Sequence, residues 1–446
     1  MAKPPKRDLV SIDDLSTNEI MALFEHANRF ADDLRAFSDQ CRGSIMATLF
    51  MEPSTRTRLS FESAMLRLGG GVITAADLQS TSFAKGESLA DTVRVVGGSY
   101  ADILVVRHPQ DGAARVAARY ARVPVVNGGD GSHEHPTQTL CDLYTLYREK
   151  GALEGLDVVL CGDLRYSRTI HSFAYALARF RANIITMPYP GFEMPAHVLE
   201  RLRRDFGVSA AIADVGELPG IAKSDKGVAY LTASRPHQLA LFTELSSVDV
   251  NRIDAIYMTR AQRERHDGES TQGYPRLSVD SLRSDLMRDA RVMHPLPRVD
   301  EIDYALDDDP RAVYFRQAEL GVPVRMALMA YLLGTIELDA EPPARFATDR
   351  VEHPAKTPLD CRNARCITNG EVGQYLKPEF RRISSDPPRL GCAYCDAEWV
   401  ATWVGGGDGI PVRRFDRPEL EAVPQDERVY FETAEQARAR GFEIAE

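Results

Sequence analysis

Apolar positions along the first third of the chain switch between two periods, and each switch marks an element. Ser16-Thr17-Asn18-Glu19 has the form of a capping box, and Ile20, Leu23, Phe24 and Ala27 follow at helical spacing. The nearly unbroken apolar run at 43–51 predicts a buried strand. Phe61, Ala64, Met65 and Leu68 then share one face of a helix that Gly69-Gly70-Gly71 ends. The same reading predicts strands at 72–76, 103–106 and 123–125, and helices at 88–97, 112–121 and 136–149. Beyond residue 150 it gives strands at 157–161, 184–187, 255–258 and 292–293, with an amphipathic helix at 169–181.

Strands alternating with helices at this spacing build βαβ units and a mostly parallel sheet. The expected fold is therefore α/β, with two open parallel-sheet domains at 1–150 and 151–337. A final apolar helix at about 322–336 should pack back on the body. Glu341-Pro342-Pro343, Pro354 and Pro358 break any helix, so 338–359 reads as a linker. A small cysteine-bearing β domain follows at 360–412, resembling a zinc ribbon. Within it, Gly405-Gly406-Gly407-Asp408-Gly409 reads as a turn, because no strand–helix context makes it a phosphate loop. Residues 413–446 read as a charged tail with one short helix near 434–440.

Composition narrows the function classes. The 446 residues exceed what a single core organises, and 44% hydrophobic with 27% charged residues is globular usage. A net charge of -11, from 54 Lys+Arg against 65 Asp+Glu, argues against nucleic acid as a partner. No apolar run approaches the roughly 18 residues of a membrane span, and the charged start Met1-Ala-Lys-Pro-Pro-Lys-Arg leads into no signal-peptide core. A cytoplasmic protein is expected. Cys41, Cys141 and Cys161 sit singly in apolar surroundings and read as inert packing residues.

The polar residues that break this pattern fall at strand ends. Ser54-Thr55-Arg56-Thr57-Arg58 leaves one strand and opens a helix; Arg107-His108-Pro109 ends another strand; His135-Pro136-Thr137-Gln138 opens a further helix. Arg165 and Arg168, then Arg260 and Gln262, then His294-Pro295-Leu296-Pro297-Arg298 follow strands of the second half. Carboxyl ends of parallel strands are where open sheets build ligand sites. Hydroxyls, a guanidinium and helix-start amides at 54–58 make a candidate phosphate site, the alternative being an N-cap followed by surface arginines, and the surplus of cations implies a ligand with several negative charges. No glycine-rich dinucleotide fingerprint is present, so no organic cofactor is expected.

Phe50-Met51-Glu52-Pro53-Ser54-Thr55-Arg56-Thr57-Arg58-Leu59-Ser60-Phe61-Glu62 resembles the carbamoyl-phosphate signature of the aspartate and ornithine carbamoyltransferases. Lys85-Gly86-Glu87-Ser88-Leu89-Ala90-Asp91-Thr92, Arg107-His108-Pro109 and His135-Pro136-Thr137-Gln138 match the same family in the same order, over roughly 8–338. Met258-Thr259-Arg260-Ala261-Gln262 and His294-Pro295-Leu296-Pro297-Arg298 are similar to its aspartate branch; the ornithine branch's His-Cys-Leu-Pro segment is absent. The resemblance implies transfer of a carbamoyl group from carbamoyl phosphate to L-aspartate, giving N-carbamoyl-L-aspartate for pyrimidine synthesis. The alternatives are another amino-acid acceptor, or a catalytically silent scaffold.

The resemblance also implies roles. Ser54, Thr55, Arg56, Thr57 and Arg107 would hold the phosphate, and Thr57, Arg107 and His135 would polarise the carbonyl. Gln138 and the carbonyls of Pro295 and Leu296 would fix the carbamoyl amino group. Arg168, Arg260 and Gln262 would grip aspartate. Lys85, with Ser82 (or Ser80 or Thr81), would reach into a neighbouring subunit's site, implying a homotrimer or higher homo-oligomer. A dihydroorotase or a regulatory chain is a candidate partner. Residues 217–248 look like an insertion beside the acceptor domain.

Cys361-x4-Cys366 and Cys392-x2-Cys395 offer four thiolates in two turns, the ligand set of one structural Zn2+ per chain with no open position. The stretch Cys361 to Asn369 resembles the zinc domain of the aspartate carbamoyltransferase regulatory chain, here fused and without the nucleotide-binding domain that precedes it there. A nucleic-acid-binding zinc ribbon is the alternative.

Overall fold

The computed structural model describes residues 6–76, 85–208, 210–211, 228–230, 252–263, 274, 276–283, 285–341, 353–355, 357–370, 375–385, 387–406, 410–424 and 427–445. The insertion expected at 217–248 lies outside them except for 228–230, and Ser80, Thr81 and Ser82 lie outside them entirely.

In the first domain, strands β1 (Ile45–Phe50), β2 (Gly71–Ala76), β3 (Ile103–His108) and β4 (Val125–Asp130) form a parallel sheet in the order β2-β1-β3-β4. Helices α1 (Thr17–Asp32), α2 (Thr55–Arg67), α3 (Leu89–Val95), α4 (Ala113–Tyr120) and α5 (Pro136–Lys150) flank it. The capping box at Ser16 and Glu19 is formed, and Ile20, Leu23, Phe24 and Ala27 are buried. Strand β4 runs well past the expected 123–125, through Asn127-Gly128-Gly129-Asp130. Turn-forming residues sit in a strand there because the Asn127 amide donates to the Val10 carbonyl at 3.0 Å and to Asp130 at 2.9 Å.

In the second domain, β5 (Asp157–Gly162), β6 (Asn183–Pro188), β7 (Ala210–Ala211), β8 (Val228–Tyr230), β9 (Ala255–Met258) and β10 (Arg291–Met293) make a parallel sheet ordered β10-β9-β5-β6-β8-β7. Helices α6 (Arg168–Arg179) and α7 (Ala196–Phe206) accompany it. In each sheet the chain reverses direction beside its first strand, between β1 and β3 and between β5 and β9. Crevices open at such switch points, outside the strands' carboxyl ends.

Helix α8 (Tyr314–Leu332) begins two turns before the expected 322 and runs through Pro323. The carbonyl that loses its helical partner belongs to Glu319, an exposed residue, so water can satisfy it. The helix then packs against α1, α2 and α5 of the first domain, tying the two domains together. Cys41, Cys141 and Cys161 are buried free thiols, and burial pushes Cys141 up to about 11 and Cys161 to about 12.

Four antiparallel strands, β11 (His353–Ala355), β12 (Phe380–Ser385), β13 (Pro388–Cys392) and β14 (Glu398–Val400), follow in that spatial order. The end of the expected linker is therefore a strand. Pro354 is compatible with it because β11 is an edge, where no ladder donor is needed. A second sheet, β16-β15-β17, joins β15 (Trp403–Gly406), β16 (Arg413–Arg414) and β17 (Arg428–Phe431). This corrects two expectations. Gly405 and Gly406 are strand residues, and the boundary at 413 cuts through a sheet instead of opening a tail. Helix α9 (Ala434–Ala439) closes the chain with a capping box from Thr433 and Gln436.

The cysteine module sits on the two α/β domains of its own chain. One apolar cluster runs from Leu104, Val116 and Ala117 of the first domain to Ile367, Tyr394 and Trp399 of the module. Asp111 pairs by backbone with Arg365 and Ile367, at 2.9 Å each. Arg115 on α4 grips Asp396 through two bonds of 2.8 and 2.6 Å, and Arg204 on α7 grips Glu398 at 3.1 and 3.2 Å. The module thus holds both α/β domains at once. Gly112 permits the close approach: its φ is +85°, and a Cβ there would lie 2.6 Å from the Tyr394 carbonyl carbon.

Candidate active site and metal centre

Strand β1 delivers Glu52 to Ser54 into the crevice, and α2 starts at once. Ser54 is extended and occupies the N-cap position without making a capping bond, so its hydroxyl and the first amides of a 13-residue helix remain available to an anion. Thr57, one turn in, is buried. Arg107 is the penultimate residue of β3 and donates to the Gly128 carbonyl at 3.0 Å. His135 precedes α5, whose first residue, Pro136, needs no amide partner. The His135 backbone amide donates to the Ser172 hydroxyl at 3.2 Å, and its Nδ1 lies 3.3 Å from Thr137 Oγ1.

From the second domain, Arg168 opens α6 and donates to the Gly131 carbonyl at 2.7 Å. Arg260 and Gln262 follow β9, and Gln262 is anchored by its amide on Asp163 at 3.0 Å. After β10 the chain turns sharply. Leu296 has φ +51° and precedes a cis peptide to Pro297, while its amide donates to His294 Nδ1 at 2.8 Å. Burial holds His294 below the ordinary imidazole range, although Glu301 lies 2.8 Å from its Nε2.

These groups line one cleft of about 410 Å³. Ser54, Thr55, Arg56, Thr57 and Arg107 face it from the first domain with His135 and Gln138. Arg168, Arg260, Gln262, Pro295 and Leu296 face it from the second. Lys85 is exposed and does not line this cleft, and Ser82 lies outside the described residues. Arg165 lines a different cavity, stacked over Tyr166 at 5.1 Å. Five arginines and a single carboxylate, Glu52, line the cleft among the described residues. Desolvation, with Arg260 nearby, lowers the Arg56 pKa from its ordinary value. Such a site is built for a polyanion.

Glu52 went unassigned in the sequence because it stands next to the phosphate motif, where a carboxylate has no obvious use. It salt-bridges Arg107 at 3.3 Å and Arg168 at 3.0 Å, so one acid aims two cations that belong to different domains. Gln317 and Arg325 of α8 also line the cleft, and nothing in their local sequence sets them apart.

The four cysteines converge outside this cleft. Their sulfurs all lie within 4.8 Å of one another, with Cys361–Cys395 at 3.5 Å and Cys366–Cys392 at 3.9 Å. A tetrahedron of metal–thiolate bonds of about 2.3 Å has edges of about 3.8 Å, so the cradle fits one such ion. His133, Glu134 and Asp396 also converge, but Arg115 and Arg381 already occupy Asp396, which makes that group an ion-pair network.

Family comparisons agree with this geometry. The profile "Aspartate/ornithine carbamoyltransferase, carbamoyl-P binding domain" matches residues 7–148, and its "Asp/Orn binding domain" counterpart matches 222–332. The chain belongs to the aspartate/ornithine carbamoyltransferase family. A third profile, the metal-binding domain of the aspartate carbamoyltransferase regulatory chain, matches 355–401 and makes the cysteine module a metal-binding domain. The aspartate carbamoyltransferase catalytic subunit of Thermococcus onnurineus is 44% identical over 337 residues, 74% of this chain and 98% of its own. That of Methanocaldococcus jannaschii is 42% identical over 336 residues, 73% of this chain and 98% of its own. A solved catalytic subunit from M. jannaschii aligns with TM-score 0.60 at 40% identity, covering 74% of this chain and 98% of that one. The Trypanosoma cruzi aspartate transcarbamoylase in complex with carbamoyl phosphate aligns with TM-score 0.61 at 33% identity, covering 73% and 95%. No helix among the described residues is long and apolar enough to cross a membrane.

Proposed function

We propose that this family member is an aspartate carbamoyltransferase, which transfers the carbamoyl group of carbamoyl phosphate to the α-amino group of L-aspartate in the cytoplasm. The observation that carries this reading is the pairing of a helix-start phosphate site at Ser54–Thr57 with Arg168 and Arg260 across one cleft. A ligand with a phosphate at one end and two carboxylates at the other matches that spread of charge.

In the proposed reaction, Ser54, Thr55, Arg56 and Arg107 hold the phosphate. Thr57, Arg107 and His135 face the carbonyl oxygen and stabilise the negative charge that builds there. Gln138 and the Pro295 and Leu296 carbonyls accept from the carbamoyl amino group. Arg168, Arg260 and Gln262 hold aspartate with its neutral amine against the carbamoyl carbon. A C–N bond forms, the C–O bond to phosphate breaks, and the amine proton passes to a departing phosphate oxygen. Positioning and fixed charge supply the acceleration. A carbamoyl-transfer assay of the purified protein with aspartate and ornithine tests this directly. Turnover with aspartate alone is expected, and turnover with ornithine instead would overturn the acceptor assignment.

Glu52→Gln should lower kcat/KM for aspartate about tenfold, because one neutral amide cannot aim two guanidiniums. Steady-state kinetics at saturating carbamoyl phosphate read the effect.

Lys85 is assigned to the site of a neighbouring subunit in a homotrimer. Leu59 and Leu66, seven residues apart on α2, are 51% and 61% exposed, and Ile73 on edge strand β2 is also exposed. That apolar face suits a second copy of the chain. Lys85→Ala and Arg56→Ala proteins, each nearly inactive, should regain activity when unfolded and reassembled together. Mixed trimers of verified composition that stay inactive would place Lys85 outside its neighbour's site.

Zinc is the proposed ion of the cysteine cluster, one per chain and structural, since four thiolates leave no open position. Metal analysis of protein purified without chelators tests the assignment.

A further inference from the structure

Behind the cleft lies a carboxylate that the reaction above does not use. Asp142 stands one helical turn after Gln138 on α5 and has no exposed surface. Three neutral donors converge on it. Gln138 Nε2 donates to Oδ1 at 2.7 Å, Gln317 Nε2 to the same oxygen at 2.6 Å, and the Tyr257 hydroxyl to Oδ2 at 2.8 Å. Gln138 belongs to the first domain, Tyr257 to strand β9 of the second, and Gln317 to the returning helix α8. The side-chain oxygen of Gln317 in turn accepts the His294 backbone amide at 3.0 Å, just before Pro295 and Leu296.

We propose that Asp142 is a positioning residue that, through Gln138 on one side and Gln317 and His294 on the other, sets both acceptors of the carbamoyl amino group. The inference rests on the carbamoyl-transfer reading. A carboxylate can only accept, so it fixes the orientation of both amides. With Nε2 of Gln138 spent on Asp142, Oε1 is the atom left for the cleft, and an acceptor is what an –NH2 group requires. The same carboxylate, through Gln317, sets the height of the loop that presents the Pro295 and Leu296 carbonyls. Acceptors on two domains are thereby registered to one buried group.

Replacing Asp142 by Asn breaks this logic at constant shape. One of the three donors then meets an N–H, and a rotated Gln138 amide would point a donor at the carbamoyl donor. Asp142→Asn should lower kcat/KM for carbamoyl phosphate about 10²-fold, the cost of a small misplacement of reacting groups.

Two phosphonates separate positioning from a general loss of structure. Phosphonoacetamide carries the amino group; acetonylphosphonate has a methyl in its place. The wild-type protein should prefer the amide, and Asp142→Asn should abolish that preference while keeping the affinity for acetonylphosphonate. Equal weakening of both ligands would overturn the proposal. A double-mutant cycle with Gln138→Ala adds an independent check, because the part of the Asp142→Asn effect that passes through Gln138 should vanish once Gln138 is gone, leaving only the part carried by Gln317. Full additivity would also overturn it.

The pH profile gives a third readout. Burial pushes the Asp142 carboxyl up to about 6, against the hydrogen bonds from Gln317, Tyr257 and Gln138 and the charge of Arg325. Tyr257, Arg325 and the neighbouring Cys141 face it; burial raises the Tyr257 hydroxyl further above its ordinary range and pushes the Cys141 thiol up to about 11, both away from that pH. As pH falls through about 6 the carboxyl takes up a proton and one acceptor is lost, so wild-type kcat/KM should drop. Asp142→Asn should lack this limb, and a limb of unchanged height in the variant would contradict the assignment. Were the wild-type protein itself to transfer no carbamoyl group, the reading of function would fail and not this inference alone.

Discussion

Arg56→Ala should cut carbamoyl transfer by about 10²-fold or more while leaving the folded protein intact. Loss of one preorganised donor to developing charge typically costs about 2.7–4 kcal/mol of transition-state stabilisation. Arg56 is placed to deliver that much, since it lines a cleft with only one carboxylate among its described walls and is partly desolvated beside Arg260. Its side chain is exposed to the cleft and packs into no core cluster, so truncation leaves no cavity. Thermal melting should therefore stay close to wild type. Arg58→Ala is the matched control. That arginine pairs with Glu62 at 3.7 Å along the helix surface, an interaction worth about 0.5 kcal/mol or less, and does not line the cleft. Near-normal turnover of Arg56→Ala would sink the phosphate-site assignment.

Stripping the metal, or Cys392→Ser, should cause a large loss of stability. Structural zinc contributes about 10 kcal/mol or more to the folding of small Cys-based domains, because the ligand set does not exist in the unfolded chain. The damage should spread beyond the module. Cys392 and Cys395 share one apolar cluster with Leu104, Val116 and Ala117, so unfolding the module exposes the flank of the first catalytic domain. Calorimetry should show a lowered or split transition, and light scattering should show aggregation through the uncovered surface. Melting unchanged by chelators in protein shown to have lost its metal would contradict this.

Much of the architecture could be read from periodicity because both sheets are parallel and buried. Strands such as β1 and β5 are largely continuous apolar runs, and helices such as α1 bury one apolar face of Ile20, Leu23, Phe24, Ala27 and Phe30. The misses have physical causes. Helix α7 is dominated by charge, and one of its inward residues is Arg201, which stacks on Tyr175 at 4.0 Å. Strand β4 continues through residues whose local preference is for turns, held by bonds from Asn127 that only the tertiary fold supplies. Pro323 obscured the start of α8. At the cleft, residues in contiguous motifs were legible because phosphate binding needs neighbouring donors at a helix start. Glu52, Asp142 and Gln317 were not, since each acts across 100 or more residues on groups that meet only in the folded chain.

The seat of the metal-binding module on Gly112, Arg115 and Arg204 of the same polypeptide has a consequence for mass action. A module carried on a separate chain leaves its seat when the complex is diluted below its dissociation constant. Here the tether turns docking into an intramolecular equilibrium, governed by an effective concentration of order millimolar that dilution cannot change. Occupancy of the seat, the cover over the apolar flank of α4, and the ratio of one module to each catalytic cleft are therefore all independent of how much protein a cell makes.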